Sequence, residues 1–404
     1  MNLMGLAWRY LWSRPLTSGL NLLLLTLGLS AIGLVGLSRD AVDRALTRDL
    51  AGIDLVVGAK GSPMQLILAG VFHLDVPPGN IPLADAEALA RHPQVAQLIP
   101  LSLGDNLDGF RIVGTSLAYP AHYGATLATG QWWTASMEAV LGAQVARQTG
   151  LVSGQSFHGA HGLGRGGMVH DDLAYQVTGI LRPCGCVLDR LVLTATESVW
   201  DVHDEMHGAA DMDEADLQAL QAEREITLAL LRYNTPLAAV TFPRMVNDST
   251  GMQAAAPAVE VTRLMAMLGV GLQVLRGMGL VLLLVAGLSV FVGLWSALRE
   301  RQADLALLRM LGATPRRVAG VLLVEALWLG LLAAAVALLL IGALSAGLGW
   351  WLTQAQSVVL VIDTPWRVLW PLPFFAVLVA VLSALVPVVA AYRQDVHHLL
   401  NSRS

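Results

Sequence analysis

Residues 298–325 have the sequence LRERQADLALLRMLGATPRRVAGVLLVE, a charged segment between two long apolar runs. Before Val318 this segment carries five arginines against Glu300 and Asp304, which gives it a net charge of +3. Arginine-rich loops beside membrane spans stay on the cytoplasmic side of the membrane. The segment therefore predicts a membrane protein with a cytoplasmic loop at this point.

The same loop has the pattern of a short amphipathic helix. Three leucines recur at the i, i+3 spacing that places side chains on one helix face: Leu305, Leu308 and Leu311. Gly312 is suited to end this helix, and Thr314 with Pro315 to begin the next one as N-cap and first-turn proline. We expect a helix that lies along the inner membrane surface, where a cytoplasmic partner can push it.

Composition supports the membrane assignment. Hydrophobic residues make up 55% of the 404-residue chain and charged residues only 14%, with a mean hydropathy of +0.59. A soluble domain does not need so much apolar content. A span needs about 20 apolar residues, and four runs are long enough: 16–37, 277–297, 318–351 and 368–392. The third run is too long for one straight span, so we expect it to tilt or to turn near Gly347 and Gly349.

These runs divide the chain into membrane and aqueous segments. The first run is longer than a typical signal core and lacks a small-x-small cleavage site before Arg39, so we predict a retained anchor. The predicted segments are a cytoplasmic amphipathic helix (1–17), transmembrane helix 1 (18–38), an extracytoplasmic α/β domain (39–257), a stalk with transmembrane helix 2 (258–298), a cytoplasmic coupling loop (299–317), transmembrane helix 3 (318–347), a short outer loop (348–366), transmembrane helix 4 (367–392) and a cytoplasmic tail (393–404).

The charge distribution predicts the orientation. The first 17 residues carry Arg9 and Arg14 and no acid, whereas residues 39–270 hold 25 acids against 14 lysines and arginines, a net charge of −11. Because positively charged loops stay inside, both termini and the coupling loop are predicted to be cytoplasmic, and the acidic segment is predicted to lie outside.

The acidic segment has the mixed pattern of an α/β domain. Short apolar runs bounded by Gly and Asp predict strands at 54–58, 95–101 and 110–116. Helices are predicted at 84–91 and 137–150, and a strand pair around a turn at 175–181 and 188–194. The predicted fold class is therefore a membrane α-helical protein with four transmembrane helices and a large extracytoplasmic α/β domain between helices 1 and 2. We also expect one long helix over 258–298.

The coupling segment resembles a motif of the FtsX/MacB-like permeases of ABC transporters, close to ER-x-x-E-x-A-x-L-R-x-L-G-A-T. The matching residues are Glu300, Arg301, Ala306, Leu308, Arg309, Leu311, Gly312, Ala313 and Thr314. Asp304 stands where the family has glutamate, a conservative change. Residues 137–156 are similar to the family's extracytoplasmic motif and 387–393 to the end of its last span, so the resemblance covers nearly the whole chain.

This resemblance implies the permease subunit of an ABC transporter, a homodimer among the lipids of the bacterial inner membrane. In that family a separate ABC ATPase drives motion that the coupling helix relays to the outer domain, which acts on a periplasmic substrate or partner. The residues that the resemblance assigns to the ATPase contact are Glu300, Arg301, Asp304, Leu305, Leu308, Arg309, Gly312 and Thr314. No catalytic residue and no nucleic-acid partner are implied.

ATP is expected on the partner subunit, not on this chain. The sequence has no G-x-x-x-x-G-K-[ST] phosphate loop. The segment around Lys60, the only lysine, is superficially similar, but its glycine spacing breaks the pattern and it belongs to the outer domain. We interpret this segment as a structured turn.

Histidines concentrate in the acidic segment and indicate a divalent-metal site, since imidazole with carboxylate is a ligand set of zinc. The candidate ligands are His158, His161 and His170 on a glycine-rich loop, and His203, His207 and Asp211 along one helix face. The alternative is a solvated acidic helix and a hairpin that merely contain histidine. The HDEMH string differs from the H-E-x-x-H motif of zinc peptidases, so no peptidase activity is predicted.

Cys184 and Cys186 are the only cysteines. A bridge across a single residue is strained, so we expect a reduced, packed turn, with a metal-responsive or redox pair as the alternative.

Glu325 is the only acid well inside the third apolar run. Charged side chains at membrane depth usually face protein or water. We expect a buried partner, such as an arginine of the coupling loop, and the alternative is that the side chain reaches the cytoplasmic interface.

Two other functions stay open on this sequence. One is a non-transport membrane regulator of cell-envelope enzymes, for which the outer domain is larger than needed. The other is a membrane-anchored divalent-metal sensor, which leaves the coupling segment unexplained. An ATPase with Walker motifs encoded beside this chain would favour the transporter.

Overall fold

The computed structural model describes residues 3–162, 167, 169–206, 223–300, 310, 314–354 and 366–393. The chain divides into two compact units. A helical unit comprises Met1–Ala41, Leu268–Trp350 and Ile362–Ser404, and an α/β domain comprises Val42–Met267 with Trp351–Val361.

The helices of the described residues are, in chain order, α1 (Leu3–Trp12), α2 (Pro15–Asp49), α3 (Pro63–Gly70), α4 (Leu83–Ala90), α5 (Ala118–His122), α6 (Ala143–Thr149), α7 (Thr196–Met206), α8 (Ala238–Ser249), α9 (Pro257–Glu300), α10 (Pro315–Gln354), α11 (Trp366–Leu369) and α12 (Pro371–Arg393). Four segments are long and apolar enough to cross a membrane: α2, α9, Pro315–Trp351 of α10, and Trp366–Arg393. The predicted fold class, four spans with an α/β domain between the first two, is confirmed.

Two of these helices are much longer than a span. Helix α9 has 44 residues, which correspond to about 66 Å of helix against a hydrocarbon core of about 30 Å. Helix α10 has 40 residues and continues through Gly347 and Gly349, so the third apolar run does not turn at these glycines.

Small side chains allow the helices of the helical unit to pack closely. One face of α12 buries four alanines, the first three at i, i+4 spacing and the fourth two turns further on: Ala376, Ala380, Ala384 and Ala391. On α10, a Cβ added at Gly330 would lie 3.0 Å from the Cα of Val377 in α12. Small residues at helix contacts are typical of membrane helices, where close van der Waals packing replaces the hydrophobic effect.

The strands are β1 (Leu55–Ala59), β2 (Ile81–Pro82), β3 (Val95–Leu107), β4 (Phe110–Thr115), β5 (Leu127–Gly130), β6 (Glu138–Leu141), β7 (Ser156–His161), β8 (Val169–Leu181), β9 (Val192–Ala195), β10 (Glu225–Ile226), β11 (Leu228–Tyr233) and β12 (Met252–Ala255). Ten of them form one sheet in the order β12-β1-β11-β3-β4-β9-β6-β8-β5, with β7 pairing both β3 and β8. Strands β2 and β10 form a separate pair.

Strand β7 closes part of the sheet on itself. Because it pairs with β3 on one side and β8 on the other, the strands β3, β4, β9, β6, β8 and β7 form a closed ring. An apolar cluster that includes Phe110, Ile112, Phe157, Tyr175 and Val202 is buried along these strands and α7. The ring brings together residues that lie far apart in the sequence.

Two secondary-structure predictions in this domain were wrong. Residues 137–150 do not form one helix, since Glu138–Leu141 is strand β6 and only Ala143–Thr149 is helical. Residues 175–181 and 188–194 do not pair, because β6 lies between β8 and β9 in the sheet. A short, fully buried strand has the same continuous apolar pattern as a buried helix, so the pattern alone did not distinguish them.

Candidate functional site

Two of the predicted coupling residues lie in the described part of the chain, one at each end of the coupling loop. Glu300 is the last residue of α9. Thr314 precedes α10, and its carbonyl accepts the N–H groups of Arg317 and Val318 at 2.9 and 3.3 Å. The others lie outside the described residues: Arg301, Asp304, Leu305, Leu308, Arg309 and Gly312.

Glu300 connects the end of α9 to the beginning of the chain. Its carboxylate forms an ion pair with Arg14, which lies in the turn between α1 and α2. The Ser296 hydroxyl donates to the same carboxylate at 3.0 Å. The sequence analysis used Arg14 only as a marker of topology and missed this pairing, because residues so far apart in sequence leave no local pattern.

Glu325 lies within the packed helices. Its side chain is 5% exposed, on the face of α10 that also buries Leu322, Ala326 and Leu329. An acid in this position is held inside protein, the environment that membrane carboxylates require. Two of the coupling-loop arginines that were expected as partners, Arg301 and Arg309, lie outside the described residues.

The prediction that His158, His161 and His170 lie on a loop was wrong, whereas His203 lies on a helix as expected. His158 and His161 are in β7, His170 is in the paired strand β8, and His203 is in α7. The side chain of His170, and all of His207 and Asp211, lie outside the described residues. The glycines of this segment suggested a loop. Gly159 instead lies within strand β7, where a Cβ would come close to Ile112 and Tyr175.

Strand alternation separates the two histidines of β7. Phe157 and Gly159 are buried and His158 is exposed, so His161 lies on the side of Phe157 and His158 on the other. His161 is the cross-strand partner of Asp105 on β3. Its Nδ1 lies 3.6 Å from Asp105 Oδ1.

His203 reaches the same place from α7. Its ring centre lies 6.0 Å from that of His161, and a Cβ added at Gly104 would lie 3.2 Å from its Nε2. The register of β3 against β4 shifts by one residue between Leu103 and Asn106. Such β-bulges re-aim side chains, and at this bulge Gly104 lies against His203 while Asp105 lies opposite His161. The sequence predicted that the two histidine clusters share a site but did not identify Asp105.

A buried hydroxyl adjoins these residues. Tyr175 on β8 is 0% exposed, and its Oη has no hydrogen-bond partner among the described residues. Burial, together with the negative charges of Asp105 and Asp201, raises the pKa of Tyr175. Asp201 on α7 accepts a hydrogen bond from Ser136. Within the described residues, no three His, Cys, Asp or Glu side chains are already arranged as a closed metal site.

Cys184 and Cys186 form a disulfide, so the prediction of a reduced turn was wrong. The two Cα atoms lie 5.1 Å apart, within the normal range for a disulfide. The buried carboxylate of Asp189 accepts the N–H groups of Cys184 and Gly185 at 3.0 and 2.7 Å. These hydrogen bonds hold the turn in the shape that brings the two sulfurs together.

A buried polar network lies where α2 ends in the α/β domain. Tyr123 donates its hydroxyl to the Asp49 carbonyl at 3.0 Å, and the Tyr119 hydroxyl lies 2.9 Å from His73 Nε2. Burial raises the pKa of Asp49 despite the opposing effect of Arg48. Burial, reinforced by the positive charges of Arg111 and Arg190, lowers the pKa of His73 well below its usual value.

Four helices long and apolar enough to span a membrane, with an α/β domain between the first two, define a multi-pass membrane protein. Residues 18–225 match the MacB-like periplasmic core domain, and residues 276–396 match the C-terminal domain of FtsX-like permeases. The chain therefore belongs to the FtsX/MacB-like family of ABC transporter permeases, as the coupling motif predicted.

Two solved structures are similar to the α/β domain. The periplasmic region of MacB from Actinobacillus actinomycetemcomitans is 10% identical and matches with a TM-score of 0.34, covering 53% of this chain and 95% of that one. The extracellular domain of the noncanonical ABC-type transporter YknZ from Gram-positive bacteria is 12% identical, with a TM-score of 0.31, covering 50% and 98%. No curated protein matches this chain in sequence.

Proposed function

We propose that this chain is the permease subunit of a homodimeric ABC transporter in the bacterial inner membrane, with both termini cytoplasmic. A separate ATPase binds ATP and pushes the coupling loop, and the motion reaches the periplasmic α/β domain, which acts on a substrate or partner there. The observation that carries this proposal is helix α9, which runs without a break from Pro257 to Glu300, beside the coupling loop.

Helix α9 has the properties of a rigid relay. Its only proline is Pro257, in the first turn, where proline does not break a helix. The helix begins two residues after β12 of the α/β domain and ends where the coupling loop begins. A displacement imposed at Glu300 is therefore transmitted along one continuous hydrogen-bonded helix.

Helices α2 and α9 are tightly joined to each other. A Cβ added at Gly28 of α2 would lie 3.1 Å from the backbone nitrogen of Leu283, and one added at Gly279 of α9 would lie 2.8 Å from the side chain of Ile32. The Ser289 hydroxyl donates to Asn21 Oδ1 at 2.6 Å. Since α2 leads into the α/β domain and α9 leads out of it, the two helices are suited to move as a pair.

The test is an aspartate placed on the apolar face of the coupling helix. Leu308→Asp puts a carboxylate where the ATPase should dock, and a carboxylate cannot be buried there without a partner. We expect the variant to insert in the membrane normally but to lose both the recovery of the ATPase with the purified permease and the stimulation of ATP hydrolysis in proteoliposomes.

Ala303→Asp is the matched control, because in the helix predicted from the sequence residue 303 falls on the side away from Leu308. It should keep ATPase recovery and hydrolysis close to those of the unmodified protein. Unchanged recovery and stimulation in Leu308→Asp would refute the assignment of the coupling loop.

A further inference from the structure

The disulfide between Cys184 and Cys186 closes a turn of the α/β domain in which the two cysteines are unequally accessible. Cys184 is half-buried, and the two residues before it, Arg182 and Pro183, are exposed. Cys186 is only 3% exposed and belongs to an apolar cluster of the domain. Thiol–disulfide exchange requires that a thiolate reaches one sulfur of the disulfide. This turn therefore offers Cys184 to an attacking thiolate and shields Cys186.

The carboxylate of Asp189 favours the same direction of attack. Its Oδ1 lies 3.5 Å from Cys184 Sγ, so a thiolate at Cys184 would stand beside a negative charge. When an outside thiolate attacks Cys184 Sγ, Cys184 becomes part of a neutral mixed disulfide and the negative charge leaves on Cys186. Attack on Cys186 would instead leave the thiolate at Cys184, next to the carboxylate.

The shape of the turn does not rest on the sulfur–sulfur bond alone. The buried carboxylate of Asp189 accepts the N–H groups of Cys184 and Gly185 at 3.0 and 2.7 Å. Gly185, between the two cysteines, supplies a left-handed backbone with φ of 64°, which glycine adopts without strain. These features remain after reduction, so the two thiols stay close together and the disulfide can form again.

The turn also adjoins the end of α2. Asp49, the last residue of α2, is 7% exposed, and its carboxylate lies within reach of the Val187 main chain and of the Asp189 carboxylate. Leu50 packs against the apolar cluster that contains Cys186 and Val187. Because the chain enters the α/β domain through α2, a change in this turn alters the contacts that hold α2 at that entry.

We propose that the Cys184–Cys186 disulfide is a reversible exchange site for a dithiol reductant, and that its reduction loosens the end of α2. A thiolate of the reductant attacks Cys184 Sγ, the protein disulfide breaks, and its electron pair leaves on Cys186, which takes up a proton. The second thiol of the reductant then attacks the sulfur bound to Cys184, whose thiolate departs and is protonated. The protein disulfide thereby gains two electrons and two protons, and the dithiol is oxidised to a disulfide.

This site goes beyond the proposed relay and is tested without an ATPase. The proposed function places the α/β domain outside the cytoplasm, where disulfides persist, but the exchange chemistry itself does not depend on the coupling loop. The alternative is a structural disulfide, a kind that resists reduction in the folded protein.

The first experiment counts the free thiols of the full-length protein in detergent at neutral pH. Dithiothreitol is the dithiol probe, and a maleimide added after its rapid removal reports free thiols by mass. We expect none before treatment and two per chain after it, with unchanged far-UV circular dichroism, and a return to none with oxidised glutathione. Thiols that appear only in denaturant would identify a structural disulfide and overturn the proposal.

A matched pair of variants tests which sulfur is attacked. Cys186→Ser leaves Cys184 as a single thiol and Cys184→Ser leaves Cys186, and both variants lose the disulfide. Because access governs exchange, Cys186→Ser should react with the uncharged reagent dithiodipyridine at least about tenfold faster than Cys184→Ser. Equal rates, or the reverse order, would contradict attack at Cys184.

Hydrogen exchange followed by mass spectrometry tests the consequence for α2. In the reduced protein, the amides of residues 45–50 should exchange several-fold faster than in the oxidised protein. Helix α8, which packs in a different apolar cluster, is the internal control and should not change. The variant with both Cys184→Ser and Cys186→Ser should exchange equally with and without dithiothreitol. Equal exchange of residues 45–50 in the oxidised and reduced protein would refute the effect on α2.

Discussion

Among the described residues, the α/β domain buries more ionisable groups than the helical unit does. Among the described residues, the helical unit buries mainly uncharged polar side chains, with Glu325 as its buried acid; the others are Asn21, Thr26, Ser30 and Ser345. The α/β domain also buries uncharged polar side chains, and in addition it buries several charged or ionisable ones: Asp49, His73, Asp105, Arg111, Asp189 and Glu260. In the helices the backbone N–H and C=O groups bond to each other within the helix. The contacts between helices therefore depend mainly on close packing at glycine and alanine.

In the α/β domain the buried charges depend on groups supplied by other strands and loops. The carboxylate of Asp189 accepts the N–H groups of Cys184 and Gly185. Asp105 lies opposite His161 on another strand, with 3.6 Å between Oδ1 and Nδ1. The difference teaches that the helical unit relies on close packing, whereas the α/β domain adds specific polar contacts to its apolar clusters. Substitutions in each region should therefore fail for different reasons.

The largest expected effect is at Asp189. Asp189→Ala leaves the partly buried N–H groups of Cys184 and Gly185 without their carboxylate, which costs roughly 3 kcal/mol. We expect the thermal unfolding midpoint of the full-length protein in detergent to fall by roughly 6–12 °C. Asp248→Ala, which removes an exposed acid of α8, is the control and should change little. Equal midpoints for the two variants would mean that the turn at Cys184 does not depend on this carboxylate.

A smaller effect is expected at the close contact of α2 and α9. Gly28→Leu inserts a side chain where a Cβ alone would lie 3.1 Å from Leu283, and such overpacking costs about 2 kcal/mol. Gly19→Leu is on the same helix with open space around it, so both variants gain the same helix propensity. The midpoint of Gly28→Leu should lie several degrees below that of Gly19→Leu, and a reversed order would show that shape does not hold these helices together.

The smallest effect concerns pH and His73. Because its pKa is lowered in the folded protein, the unfolded chain takes up a proton below pH about 6.5 while the folded protein does not. The contribution of neutral His73 to the free energy of unfolding is therefore fully present above pH 6.5. As the pH falls below this value, the free energy of unfolding decreases by at most about 1.4 kcal/mol per pH unit.

His73→Asn keeps a polar side chain that tolerates the left-handed backbone at this position, where φ is 52°. It should shrink the drop in unfolding midpoint between pH 7.5 and pH 5.5. An unchanged drop would assign the acid sensitivity to other groups.

The comparison also explains how much the sequence could predict. The four spans and the coupling loop follow from apolar run length and arginine placement, both of which are local properties of residues such as Leu305, Leu308 and Arg309. The expected α/β class also follows from local patterns. The strand β6 does not, because Glu138–Leu141 has an apolar pattern shared by buried strands and helices.

The candidate metal site was predicted only in part, for the same reason. The histidines were visible in the sequence, but Asp105 lies in an apolar strand and meets His161 only through the pairing of β3 with β7. The disulfide was missed because the hydrogen bonds of Asp189 shape the turn that allows it. Metal binding itself stays a prediction.

The central claim requires that the coupling loop and the α/β domain lie on opposite sides of the membrane, and cysteine labelling tests this requirement most directly. Val240→Cys in the α/β domain and Thr314→Cys beside the coupling loop are both at exposed positions, and the native cysteines are bonded to each other. In intact spheroplasts a membrane-impermeant maleimide should label Val240→Cys and should label Thr314→Cys only after permeabilisation, because α9 crosses the membrane once between them. Labelling of both sites in intact spheroplasts, or of Thr314→Cys alone, would contradict the account.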